Sequence, residues 1–149
     1  MAMIAFRLAN PLLAITLGVL ATGCGRKGDP IPRPRAAAQA MEVQLEGLRR
    51  IRLVLPSEDV KGGPLVGVEV VRVIYLPMGL TKPTPEEVFS RGEVVLERRR
   101  PDLPGPGSPL LMDLRSLQRP QGWIVVVAVR VGDVPGRPSE VLPWLDPAL

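Results

Sequence analysis

The chain has no histidine, one cysteine, and only two tryptophans, one tyrosine and two phenylalanines in 149 residues. Each shortage removes something. Without histidine, the commonest general base and metal ligand is missing. One cysteine forms no internal disulfide and no multi-cysteine metal site. No glycine-rich loop follows a strand and opens a helix, as a phosphate-binding loop requires. Long apolar runs are short as well: Leu8 to Leu20 is about 13 residues, against the roughly 20 that a spanning helix needs.

What is plentiful is proline (18) and glycine (15). Such a composition permits disorder, but the apolar residues cluster in β-rich runs, which argues for a folded core. Net charge is +4, and its placement matters more than its size. Residues 24–35 carry Arg26, Lys27, Arg33 and Arg35 against Asp29, a local +3, whereas from residue 36 onward 14 basic residues face 14 acidic ones. The high pI therefore belongs to the N-terminal segments. A nucleic-acid footprint needs a basic face on the domain itself, with aromatics or a reading helix, so nucleic acid is not an expected partner.

Residues 1–23 read as a secretion signal, with Arg7 as the positive region, the apolar run behind it, and Ala21, Thr22 and Gly23 as the small residues before a cut. The cut falls between Gly23 and Cys24. "LATGC" resembles a bacterial lipobox, although Ala21 stands where leucine is usual, with Leu20 one place earlier. The resemblance implies that Cys24 carries a thioether-linked diacylglyceryl group and an acylated amino group. No other cofactor is expected. Because one acyl chain holds only marginally at about 0.8 kcal/mol per buried methylene, two or three on one residue are what makes anchoring durable.

The stretch "GCGRKGDPIPRP" is similar to the attachment-site motif of small Gram-negative lipoproteins of the LptM type, roughly C-G-x-K-G-P-L-x-x-P. Cys24, Gly25, Lys27 and Gly28 match, Asp29–Pro30 replaces the Pro–Leu pair, and Pro32 and Pro34 continue the proline pattern. That resemblance implies an outer-membrane lipoprotein facing the periplasm, in a family that assists assembly of the lipopolysaccharide translocon. Gly25 after the cysteine, in place of aspartate, fits outer-membrane sorting. "PIPRPR" reads as an extended spacer of roughly 3.1 Å per residue. Its basic residues are either solvated or in touch with anionic head groups. The expected organisation is thus a signal peptide (1–23), a lipidated basic tether (24–38) and one domain (39–149).

Seven short strands are expected in that domain, in the runs "MEVQLEG", "RIRLVLP", "VGVEVVRVIYLP", "GEVVLE", "PLLMDL", "WIVVVAVRV" and "EVLPW", separated mostly by turn-forming residues. In the first, Met41, Val43 and Leu45 share a face; in the second, Ile51, Leu53 and Leu55 do. "KPTPEEVFSRG" predicts a short helix between the third and fourth strands, with Thr84 as N-cap, Pro85 at the first helical position, Glu86 and Glu87 in the first turn and Gly92 as terminator. The fold class is an all-β sandwich.

Order and spacing resemble a fibronectin type III domain. "IRLVLP" sits at its v-x-L-x-W-x-P strand with Leu55 for the tryptophan, and "LVGVEVVR" at its i-x-G-Y-x-V-Y-R strand with Val68 for the first tyrosine and Arg72 for the arginine. "LQRPQGWIVVVAV" follows L-x-P-x-T-x-Y-x-Y-x-V-x-A: Leu117, Pro120 and Trp123 keep the spacing, which puts Trp123 at the tyrosine-corner position and Val125, Val127 and Val129 on the inward face. "GDVPGRPSEVLPW" corresponds to the final loop and strand.

No catalytic residue is expected. Ser57, Ser90, Ser108, Ser116 and Ser139 lack a nucleophile-elbow context, nothing places Lys61 or Lys82 beside a serine, and Glu58–Asp59 and Glu86–Glu87 are adjacent carboxylates with no opposed geometry. Arg98, Arg99 and Arg100 read either as a docking patch for an acidic partner or as the solvated, charge-protected edge of a short strand. The sequence thus points to a non-catalytic binding or scaffold module of the cell envelope, with a protein or cell-wall partner. The alternatives are an LptM-like assembly factor, or an envelope enzyme, which would require a deep polar pocket.

Overall fold

The computed structural model describes residues 36–145. Period-two runs rich in Val, Ile and Leu form its strands: β1 Glu42–Leu45, β2 Arg50–Val54, β3 Val68–Pro77, β4 Glu93–Arg99, β5 Pro109–Asp113, β6 Gly122–Arg130, β7 Val134–Pro135 and β8 Leu142–Trp144, with the helix α1, Pro85–Arg91, between β3 and β4. They make two antiparallel sheets, one ordered β1-β2-β5 and one ordered β4-β3-β6-β7, with β8 also paired to β6.

The count among the described residues is eight strands where seven were expected, because the last strand is interrupted. β7 pairs Val129 and Arg130, and β8 pairs Gly122 to Ile124. Between them Pro138 has no N–H to give the ladder. Ser139 bridges the gap: its N–H donates to Val126 O at 3.0 Å, and its Oγ accepts from Val126 N at 2.9 Å. The side chain thus supplies the acceptor that an uninterrupted strand would have taken from its backbone.

The main core lies between the sheets. Ile51, Leu53, Leu55 and Met112 from one side meet Val71, Val73, Tyr75, Ile124, Val126, Ala128 and Trp144 from the other. Ile51, Leu53 and Leu55 share the inner face as expected. The β1 face includes buried Met41 and half-buried Val43, and fades at exposed Leu45.

The inward face of β6 differs from the expectation. Ile124, Val126 and Ala128 point into the main core, while Val125, Val127 and Val129 join a second cluster with Val70, Ile74, Val88 and Val141, against which Trp123 packs. Val88 belongs to α1, so the helix covers the outer face of the larger sheet. Every β6 position from Ile124 to Val129 is apolar and buried. A strand apolar on both faces carries no alternation to choose between them, and a one-residue shift inverts every side chain. Packing decides instead: Tyr75 opposes Ile124 in the ladder, and a Cβ built on Gly122 would lie 2.4 Å from the Tyr75 ring.

The helix forms as its ends dictate. Thr84 caps it, its Oγ1 accepting from Glu87 N at 3.2 Å, while the Glu87 carboxylate accepts from Thr84 N at 2.8 Å. This reciprocal pair is a capping box. Gly92 closes the helix by donating to Val88 O, and has no room for a side chain, with Ile74 and the Tyr75 carbonyl within 2.7 Å of a built Cβ.

The registers give the domain two ends. At the proximal end lie the residues that lead into β1, the β2–β3 loop, the β4–β5 loop and the β6–β7 turn. Ala36 to Ala38 are bound into this end: Ala38 is fully buried and bridges Asp59, Ala37 O accepts from Val60 N, and Ala38 O accepts from Arg137 N. The distal end gathers the β1–β2 loop, the β3–α1 loop, the β5–β6 loop and Trp144.

Candidate functional site

Residues 1–35 lie outside the described residues, so the signal segment, the Gly23–Cys24 cut, Cys24 as lipid attachment site and the tether up to Arg35 have no structural account here. Among the described residues no helix is long and apolar enough to cross a membrane. Among the same residues no His, Cys, Asp and Glu side chains group as metal ligands.

The three consecutive arginines do not form one patch. Arg99 is tied to Glu97 at 2.8 Å, Arg100 donates from Nε to Val68 O at 2.8 Å, and Arg98 is half-buried opposite Val71. Neighbours on a strand point to opposite faces, which separates Arg98 from Arg99. Arg72 donates from Nε to Glu97 at 2.8 Å and from Nη1 to Asp133 at 3.1 Å. The hydrogen bond from Arg72 holds the Glu97 carboxyl below the usual range, and Arg99 adds to it. These charges form a network across the larger sheet, from Arg99 and Glu97 on β4 through Arg72 on β3 to Asp133 in the β6–β7 turn. Arg100 also lines a shallow cleft of about 270 Å³ with Leu55, Val68, Leu103 and the prolines of the β4–β5 loop.

The distal end is built differently. Two side chains fasten the β5–β6 loop: Tyr75 donates from its hydroxyl to Pro120 O at 3.2 Å, and Trp144 donates from Nε1 to Arg119 O at 3.0 Å. The Arg119 guanidinium lies 6.0 Å from the Tyr75 ring centroid and pairs with Glu93. Burial pushes the Tyr75 hydroxyl up from its ordinary pKa. Trp123 takes no part in this. It stands on the outer face opposite Leu76, and its indole N–H is buried without an acceptor. The side-chain bonds to the β5–β6 loop thus come from Tyr75 and Trp144, because the inner face of β6 begins at Gly122 and Ile124.

With its ring outside the core, Trp123 lines a groove of about 480 Å³ together with Leu76, Pro77, Leu80, Pro83, Glu87 and Arg91. That volume is within the usual range of ligand pockets. The β3–α1 loop forms one wall and the last turn of α1 contributes Arg91. Leu80 is fully exposed and Met78 is 44 % exposed. Glu87 is held by its cap with Thr84, and among the described residues Arg91 has no ion-pair or hydrogen-bond partner. The groove combines apolar Leu76, Pro77, Leu80, Pro83 and Trp123 with polar Thr81, one carboxylate, Glu87, and one guanidinium, Arg91. Of this surface the sequence marks the helix caps and Trp123, the latter on a different face; the Met78-Gly79-Leu80 loop ahead of the helix was the further signal available. Geometrically the site suits contact with another molecule.

No family model, no curated protein and no solved structure matches this chain.

Proposed function

We propose that the protein is a lipid-anchored, periplasm-facing lipoprotein of the outer membrane whose domain, fibronectin type III-like, is a non-catalytic binding or scaffold module of the cell envelope. The observation that carries the binding role is the placing of the groove. It is a concavity of about 480 Å³ at the distal end of the domain, opposite to the end that binds Ala36 to Ala38. The three-strand and larger-sheet order supports the fibronectin type III-like reading. The lipobox-like "LATGC" and the basic proline-rich stretch behind it support the anchor.

The test is envelope fractionation after metabolic labelling with a clickable fatty acid, wild type beside Cys24→Ser, followed by in-cell crosslinking and pull-down. The expected result is label and membrane association in the wild type alone, with a partner enriched only there. Equal fractionation of the two forms, or label retained in Cys24→Ser, overturns the anchor. The match at Cys24, Gly25, Lys27 and Gly28 favours a second reading, an LptM-like assembly factor; copurification with a β-barrel assembly substrate would select it.

A further inference from the structure

We propose that the tip of the β1–β2 hairpin rests on an anionic phospholipid surface, with the Arg49 and Arg50 guanidiniums on lipid phosphates and Leu48 among the head groups. The tip borders a concavity of about 530 Å³ at the distal end, lined by Glu46, Gly47, Leu48, Arg49, Arg50 and Arg115. Its carboxylates are already paired. Glu46 is bound by Arg52 Nε at 2.7 Å. Asp113, opposite Arg50 in the ladder, accepts from the Arg115 backbone N–H at 2.9 Å and from its Nε at 2.7 Å. Arg49 and Arg50 have no ion pair among the described residues. The four guanidiniums of Arg49, Arg50, Arg52 and Arg115 against the carboxylates of Glu46 and Asp113 leave a net +2, in a domain whose 14 basic and 14 acidic residues cancel as a whole. The charge selects an anion, and a guanidinium can hold a phosphate through two parallel hydrogen bonds.

Leu48 selects a lipid surface over a soluble anion. It is 60 % exposed and lines the same concavity as the two unpaired arginines that follow it. The hairpin holds it there: Glu46 N donates to Arg50 O at 2.8 Å, and Gly47 takes a φ of 69°, the left-handed region that favours glycine. A free phosphate gains nothing from an exposed leucine, whereas a bilayer offers phosphates and an apolar layer side by side. The proposal rests on the anchor reading for how the tip meets a bilayer. The 12 residues 24–35 form a spacer of roughly 37 Å when extended at about 3.1 Å each. The ten residues of β3, which runs between the two ends of the domain, cover about 33 Å. The spacer is therefore long enough for the domain to lie down with its distal hairpin on the bilayer that holds the chain.

The experiment is photocrosslinking of the full chain, purified from the envelope and reconstituted with vesicles of phosphatidylcholine, alone or mixed with phosphatidylglycerol. A photoreactive phenylalanine analogue replaces Leu48, and lipid adducts at position 48 are quantified by mass spectrometry beside flotation of the chain with the vesicles. The expected result is an adduct in the mixed vesicles that falls at least tenfold in phosphatidylcholine alone and with Arg49→Glu/Arg50→Glu. Arg49→Lys/Arg50→Lys should retain most of it, and all forms should keep the same thermal stability. Adducts equal in the two kinds of vesicle, or indifferent to the charge reversal, overturn the proposal. So does inorganic phosphate that shifts the amide resonances of Gly47 to Arg50 while no lipid adduct forms, which identifies a soluble-anion site, and so does capture of a protein in place of lipid when position 48 is irradiated in cells. Flotation with both vesicles but no adduct overturns the proposal and leaves the anchor in place; flotation only with the mixed vesicles, with adducts at 48, keeps the proposal and removes the anchor; flotation with neither removes both.

Discussion

Replacing Ser139 by alanine isolates one buried hydrogen-bond exchange at the interruption of the last strand. Ser139 is 1 % exposed, and Val126, whose N–H it accepts, is fully buried. Its Oγ also donates to Glu140 O at 2.9 Å. Alanine keeps the backbone bond from Ser139 N to Val126 O but leaves the Val126 N–H without an acceptor, out of reach of bulk water. Leaving a buried donor unpaired costs about 1–3 kcal/mol, so the expected loss is about 2 kcal/mol. In a domain of this size that corresponds to a fall in Tm of roughly 8 °C or more. The assay is urea unfolding of matched wild-type and variant protein, with Ser90→Ala as control, since Ser90 is exposed and bonds only the Glu87 carbonyl of its own helix. The control should change by less than about 0.5 kcal/mol. Amide exchange at Val126 should accelerate in Ser139→Ala beyond the global change. A loss below about 0.5 kcal/mol with an unchanged m value would refute the reasoning, because Val126 would then have found another acceptor.

Gly122→Ala should be more damaging, since its Cβ would meet the Tyr75 ring at 2.4 Å and the Leu76 carbonyl at 2.5 Å; overpacking of this kind costs about 1–3 kcal/mol or more, read by thermal unfolding. Thr84→Ala removes half of the capping box and should cost about 1 kcal/mol, with faster amide exchange confined to the first turn of α1. In acid, Asp113 is held down to about 2 by the Arg115 side chain and backbone N–H. Glu97 is lowered by Arg72 and Arg99, and Asp59 by the backbone N–H groups of Gly63 and Lys61. Each carboxylate binds its proton more weakly folded than unfolded, so its contribution is present above the unfolded pKa and is lost as pH falls from about 4 toward 2. With no histidine in the chain, Tm should stay flat between pH 5 and 8 and then decline, and Asp113→Asn should make the decline shallower.

Signals confined to a few neighbouring residues were legible in the sequence. Thr84, Pro85, Glu87 and Gly92 fix the helix ends through bonds within one turn, and the β2 alternation fixes its buried face because Arg50 and Arg52 mark the other one. What was hidden depends on contacts far apart in the chain. The apolar run Ile124–Val129 has no polar residue to mark its outer face; only the fit of Gly122 against Tyr75 sets it. The same fit turns Trp123 outward and leaves the β5–β6 loop to Tyr75 and Trp144. The gap in the last strand turns on whether the Ser139 hydroxyl reaches Val126, which local composition does not encode. The groove was hidden too, since it joins residues from the end of β3, the following loop, α1 and the start of β6.

The way Ala36 to Ala38 are fastened has a mechanical consequence. The bonds there reach both sheets: Gln39 N donates to Glu58 O and Val60 N to Ala37 O beside the smaller sheet, while Arg137 N donates to Ala38 O from the segment that follows β7. Arg130, at the end of β6, holds the Ala36 carbonyl as well. Tension arriving along the chain ahead of residue 36 is therefore divided between the two layers before any of it reaches the β1–β2 ladder. A pull that would peel an edge strand one bond at a time is met first by several bonds loaded together, and the buried Ala38 side chain must leave its seat before β1 can begin to unzip.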